Sequence, residues 1–211
     1  MRRILKAWVA YNPGMAYWQG LDSLLAPFVT LNYKDEAKAY GCMQEMVRRY
    51  LQNFFLRENA SFLQGHLSNF WQLLAYHDPQ LVVHLIRQEF GPELFAIPWF
   101  LTLFAHILHM DKIYRLWDQL LLEQVFFPLF LAVSIMMTLR DQLLVMDFNS
   151  CILFFSNMPN LPMDRCFVLG KQLHETTPLS VLIRKFIVGS EPAVGSKEGA
   201  RRGALTAIPD I

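Results

Sequence analysis

Apolar residues recur at three- and four-residue intervals along almost the whole chain. Ile4, Leu5, Trp8 and Val9 form one stripe; Tyr40, Met43, Val47, Tyr50, Leu51 and Phe54 form a second; Leu63, Leu67, Phe70, Trp71 and Leu74 form a third. That spacing lines one face of an α-helix, and strict alternation over a strand length is missing. Punctuation agrees. Asn12-Pro13-Gly14 stops the first helix, and Asp35 and Ser61 are placed to cap the starts of the next two stripes. Asp78-Pro79 joins a cap to a proline preset for the first helical turn, and Gly91 is able to close that helix in a left-handed conformation. Further helix starts are expected at Asp111, Pro128, Asp147, Asp164 and Pro178. The expected architecture is all-α, a single globular bundle of about ten helices with short connections. It spans residues 1–188; from Gly189 to 211 the composition turns to Gly, Ala, Pro and Ser without a periodic face, and a disordered or loosely attached tail is expected.

Composition narrows the function classes. The chain is 54% hydrophobic and only 18% charged, so it hides most of its apolar surface or offers an apolar face to a partner. Two uncharged runs, 94–110 and 124–139, fall short of the roughly 20 residues needed to cross hydrocarbon. Pro98 and Pro128 interrupt them, so buried core helices are expected and no transmembrane segment. With 19 basic and 18 acidic residues the net charge is +1, and the basic pairs lie far apart in sequence; no stripe for nucleic acid is visible. Three cysteines, odd in number, without metal-ligand spacing and in apolar surroundings, point to reduced thiols and a cytoplasmic home.

Candidate chemistry is sparse. GSEPAVGSK, from Gly189, has the wrong spacing for a phosphate-binding loop and no helix pattern after it. His106 and His109 share a helical face but lack a carboxylate partner in ligand spacing, so no metal site is expected. Cys151, in NSCILFF, reads as a buried, inert thiol. Asn59-Ala60-Ser61 is a glycosylation sequon that matters only in a secretory protein. Gln19 stands out: it sits between Trp18 and Gly20 at a loop-to-helix transition in YNPGMAYWQGLDSLLAPF. From the residues alone it is either a local capping or packing group or an amide presented to another molecule, with the aromatic neighbours locking the loop and Gly20 allowing close approach of a partner.

That segment resembles the signature of TBC domains, the all-α Rab GTPase-activating domains, in which a helix ending in Y-N-P leads to Y-x-Q-G. IPWFLTLFAHIL, KIYRLWDQLLLEQ and the apolar stretch from Phe130 to Leu139 follow in the family's order, so the resemblance covers roughly residues 1–175. YWQGLDSL and RDQLLVMDFNSCILFFSNMP look most like the TBC domain of TBC-domain-containing kinase-like proteins, although no Gly-rich loop, HRD or DFG occurs. The resemblance implies that Gln19 is the catalytic glutamine finger, entering a partner Rab's nucleotide site to orient water and the γ-phosphate. It implies that Tyr17, Trp18, Gly20 and Asp22 bind the partner, with Tyr17 and Asp22 holding the loop. No cofactor is expected in the chain, since Mg-GTP would be carried by the Rab. The implied location is cytoplasmic, peripheral on trafficking membranes through the partner.

The family also uses an arginine from an upstream IxxDxxR motif. No such motif precedes Gln19 here. Because an arginine finger is worth roughly a thousand- to a hundred-thousand-fold, weak activity is expected of these residues, which correspond to the family domain without its first helices. The alternative is a non-catalytic Rab-binding or scaffolding helical module. Two smaller departures are Leu21, where methionine is common, and Gln124, where glycine usually follows the glutamate and a turn is therefore in question.

Overall fold

The computed structural model describes residues 1–178 and Val181. Among these, regular structure is helical: eleven α-helices, one π turn and one 3-10 turn. The first stripe becomes α1 (Arg2–Tyr11), which buries Ile4 and Trp8. It stops as its sequence requires, because Asn12 turns both its backbone N–H and its Nδ2 onto the carbonyl of Trp8. A loop leads to α2 (Leu21–Leu31), and α3 (Glu36–Met46) follows with Asp35 accepting from the backbone N–H of Lys38. The second stripe then continues through a π turn, Val47–Leu51, whose Tyr50 hydroxyl donates to the Leu120 carbonyl at 2.7 Å.

The third stripe is α4 (Ala60–His77), but Ser61 does not cap it. The helix starts one residue earlier, after Asn59, and makes no side-chain cap. Asn59 is buried and spends its Nδ2 on the Phe54 carbonyl at 2.5 Å, so the sequon asparagine has no free amide. In α5 (Pro79–Arg87) the Asp78 cap and the first-turn proline stand as expected. Gly91 is extended, not left-handed; Glu89 takes the positive φ instead. The reversal comes two residues early because Phe90 must enter the core, where its N–H bonds the Leu85 carbonyl and its ring stacks on Phe95 and Phe155 at 5.5 Å each.

After a 3-10 turn (Pro92–Leu94) come α6 (Ala96–Leu101), α7 (Met110–Leu120), α8 (Phe127–Thr138), α9 (Arg140–Leu143), α10 (Phe148–Ser156) and α11 (Met163–Thr176). Asp147 caps α10 and Pro128 sits in the first turn of α8, as expected. Helix α8 is apolar all round because it is the central element: every residue from Phe127 to Met136 is buried, against α11 on one side and α4 on another. Gly170 lets α11 approach, since a Cβ there would lie 3.3 Å from the Phe127 ring. The run 124–139 is thus a core helix, whereas 94–110 holds the short α6 and a buried turn after it, and among the described residues no helix is long and apolar enough to cross a membrane. The turn before α8 accepts Gln124 without a positive φ. The expected helix at Pro178, the tail and GSEPAVGSK lie essentially outside the described residues.

Candidate functional site

Gln19 sits in the loop between α1 and α2, and that loop is held from behind by residues far away in sequence. Met15 pairs with Leu56 in an isolated antiparallel bridge, and the Ala16 N–H donates to the Phe55 carbonyl at 2.9 Å. The Trp18 indole donates to the Leu56 carbonyl at 3.2 Å. Among the described residues neither the Tyr17 hydroxyl nor the Asp22 carboxylate makes a hydrogen bond, and Asp22 lies in the first turn of α2. The hydrogen bonds that tie this loop to the rest of the fold run to residues 55 and 56.

Gly20 follows with φ 107°, a conformation that favours glycine, and starts α2. It is buried, and the close approach that a glycine permits is to Thr102 of the same chain: a Cβ would lie 2.9 Å from Thr102 Cγ2. Thr102 ends α6. Its hydroxyl donates to the Pro98 carbonyl and accepts from the His106 N–H. The next two residues, Leu103 and Phe104, are buried at φ 46° and 67°, sparsely populated values for bulky side chains. Trp117 donates to the Leu103 carbonyl at 2.9 Å, which places that indole in the core with its one donor satisfied.

Trp18, Gln19, Gly20 and Asp22 thereby share one cleft of about 440 Å³ with Ser23, Ile97, Pro98, Leu101, Thr102 and His106. Tyr17 lies outside its lining and is half exposed. Gln19 is exposed, and its amide has no hydrogen-bond partner among the described residues. The α6 side of the cleft was missed from sequence as a site. Its one signal was IPWFLTLFAHIL, which reads as core, and Thr102 is a lone hydroxyl inside it.

Chemically the cleft offers little of its own. A glutamine amide is one donor group and one acceptor and carries no proton to give. Ser23 Oγ and His106 Nδ1 are 3.5 Å apart, at the outer limit of a hydrogen bond, and no carboxylate orients the ring among the described residues. No cluster of three or more His, Cys, Asp or Glu that could hold a metal occurs among the described residues. Cys151 is buried, and burial pushes its thiol pKa up, away from the nucleophilic form. The arrangement suits presentation of a neutral hydrogen-bonding group to a site completed by another molecule.

The family model of the Rab-GTPase-TBC domain matches residues 1–144, most of the described chain. The chain belongs to the Rab-GTPase-TBC domain family. A TBC domain-containing protein kinase-like protein of Gallus gallus is 48% identical over 205 residues, which is 97% of this chain and 23% of that protein. The GTPase-activating protein GYP5 of Eremothecium gossypii is 32% identical over 155 residues, 73% of this chain and 18% of that protein. This TBC chain therefore spans less than a quarter of the curated relatives it matches. In three dimensions it resembles the crystal structure of the Ypt/Rab-GAP domain of Gyp1p, with a TM-score of 0.73 at 22% identity, over 87% of this chain and 65% of that one. That likeness confirms the all-α TBC fold.

Proposed function

We propose that this TBC chain stimulates GTP hydrolysis by a Rab-family GTPase, and that Gln19 is the group it delivers into the partner's nucleotide site. One observation carries the reading: Gln19 is exposed with a free amide, on a loop where the flanking Trp18 bonds the Leu56 carbonyl and the flanking Gly20 leaves no room for a Cβ beside Thr102. An amide presented from such a loop can accept from the attacking water and donate toward the γ-phosphate, which is how a neutral side chain lowers the barrier without proton transfer. Mg-GTP belongs to the Rab, and the TBC chain contributes no cofactor. The family match and a relative whose name is GTPase-activating protein support the activity.

These 211 residues contain no IxxDxxR before Gln19. Taken by themselves they are proposed to lack the charge-neutralising arginine and to be weak by roughly a thousand- to a hundred-thousand-fold. Single-turnover hydrolysis by a panel of GTP-loaded Rabs, with this chain and with Gln19→Ala, tests the reading. Stimulation by at least one Rab, lost in Gln19→Ala, is expected. Equal stimulation by both proteins overturns the role of Gln19, while nucleotide-dependent Rab binding with no stimulation by either favours a scaffolding module.

A further inference from the structure

We infer, resting on the glutamine reading above, that Thr102 is a positioning residue for Gln19 and acts through Gly20. Gln19 is a single residue between two anchors. On one side Trp18 is tied through its indole to the Leu56 carbonyl. On the other side the Gly20 carbonyl accepts from the Leu24 N–H at 3.0 Å at the head of α2, and the methyl group of Thr102 fills the place where a Cβ on Gly20 would stand. A glycine left free samples both signs of φ at little cost, so an unsupported Gly20 is a hinge beside the reacting group.

Thr102 is built to remove that freedom. Its Cβ carries a hydroxyl and a methyl at a fixed angle, so pinning one pins the other. The hydroxyl is pinned twice, donating to Pro98 O at 2.7 Å and accepting from His106 N at 3.1 Å. The methyl then has one direction left, onto Gly20. The platform beneath is stiff: Thr102 is 1% exposed, and the left-handed Leu103 and Phe104 are held by Trp117 Nε1 to Leu103 O and by Phe104 N to Trp99 O at 2.8 Å. Backbone strain of this kind persists only where the surroundings over-determine it. A strained, buried turn behind an exposed amide is an arrangement for fixing the backbone from which that amide projects.

The two functions of the threonine separate by substitution. Thr102→Ser keeps both hydrogen bonds and drops the methyl; Thr102→Val drops the hydroxyl but keeps the methyl in place, because burial and the stiff χ1 of a β-branched side chain hold it there without the bonds. Backbone 15N relaxation on the full chain reads the loop without Rab or nucleotide. In Thr102→Ser the order parameters of Gln19 and Gly20 are expected to fall from the rigid range near 0.85 toward about 0.6, and Thr102→Val is expected to restore them. With a Rab that responds to the wild type, Thr102→Ser lowers the maximal rate by about tenfold to a hundredfold, the scale of an ångström misplacement, at an unchanged half-saturating Rab concentration. Thr102→Val recovers the rate although its thermal midpoint drops. Wild-type order parameters at Gln19 and Gly20 in Thr102→Ser overturn the inference, as does a change confined to Rab affinity. Full stimulation by Gln19→Ala defeats the glutamine reading instead, and the relaxation data still decide whether Thr102 sets the loop.

Discussion

Replacing Gly20 by alanine adds a single methyl group at the tightest point of the loop. Two penalties follow. The backbone there has φ 107° and ψ −14°, away from the left-handed well that L-residues tolerate, and holding a side chain in such a region costs about 1–3 kcal/mol. The new Cβ would also lie 2.9 Å from Thr102 Cγ2, well inside the roughly 3.5–4.0 Å carbon–carbon optimum, and overpacking of this kind costs about 1–3 kcal/mol more. Thr102 cannot swing aside, because its hydroxyl is bonded on both sides. The exposed Gln19, between Trp18 and Gly20, gives way in part, so the expected loss of stability is about 2–4 kcal/mol, less than the sum. For a domain of this size that lowers the thermal midpoint by about 4–16 °C. Whatever strain is relieved by movement displaces Gln19, and a displacement near an ångström lowers the stimulated hydrolysis rate by about a hundredfold. Urea unfolding measures the first effect and single-turnover hydrolysis the second. Adding Thr102→Ser to Gly20→Ala removes the clashing methyl and returns the steric share while leaving the backbone share, so the two substitutions couple favourably by about 1–3 kcal/mol. Additivity within about 0.5 kcal/mol, or an unchanged midpoint in Gly20→Ala, refutes the contact.

His66 is ringed by Phe54, Phe62 and Phe100, its Nε2 is buried with no partner among the described residues, and burial lowers its pKa from 6.5 to about 3. Between those values the unfolded chain binds more protons than the native one, so His66 makes stability fall as pH drops below about 6.5; His66→Leu is expected to flatten that limb in urea titrations at pH 7 and 4.5, and an equal slope in both proteins rejects it. Arg140 bonds Asp78 Oδ2 at 2.7 Å and Gln80 Oε1 at 2.6 Å, across to the α5 cap. Arg140→Ala leaves the buried Asp78 carboxylate with its Leu81 N–H bond but no counter-charge; because the arginine side chain is 33% exposed, the expected loss is about 1–3 kcal/mol, below the 3–5 of a fully buried pair, read as a shift in urea midpoint. Phe130→Ala opens a cavity in the fully buried face of α8 and is expected to cost about 3–5 kcal/mol, with a loss under about 1 kcal/mol contradicting the central placement of that helix.

Helix, its ends and the presence of an unusual glutamine are local properties, and they were legible in the chain by itself. The stripes at Ile4 to Trp8 and Leu63 to Leu74 became α1 and α4, and Asp35, Asp78 and Asp147 each bond the backbone N–H three residues on. Such signals depend on neighbours within one helical turn, which is why sequence carries them. The wording around Gln19, with IPWFLTLFAHIL and KIYRLWDQLLLEQ following in order, likewise pointed to the family. What only the tertiary structure decided lies beyond that range. Leu56 holds Trp18 across 38 residues, and Thr102 meets Gly20 across a still longer gap. No local rule puts left-handed φ on Leu103 and Phe104, or on Glu89 instead of Gly91; burying Phe90, Leu103 and Phe104 outweighs the intrinsic preference of each residue. The glutamine was visible from the start, but the loop that carries it is placed by contacts between segments that meet only once the helices have packed.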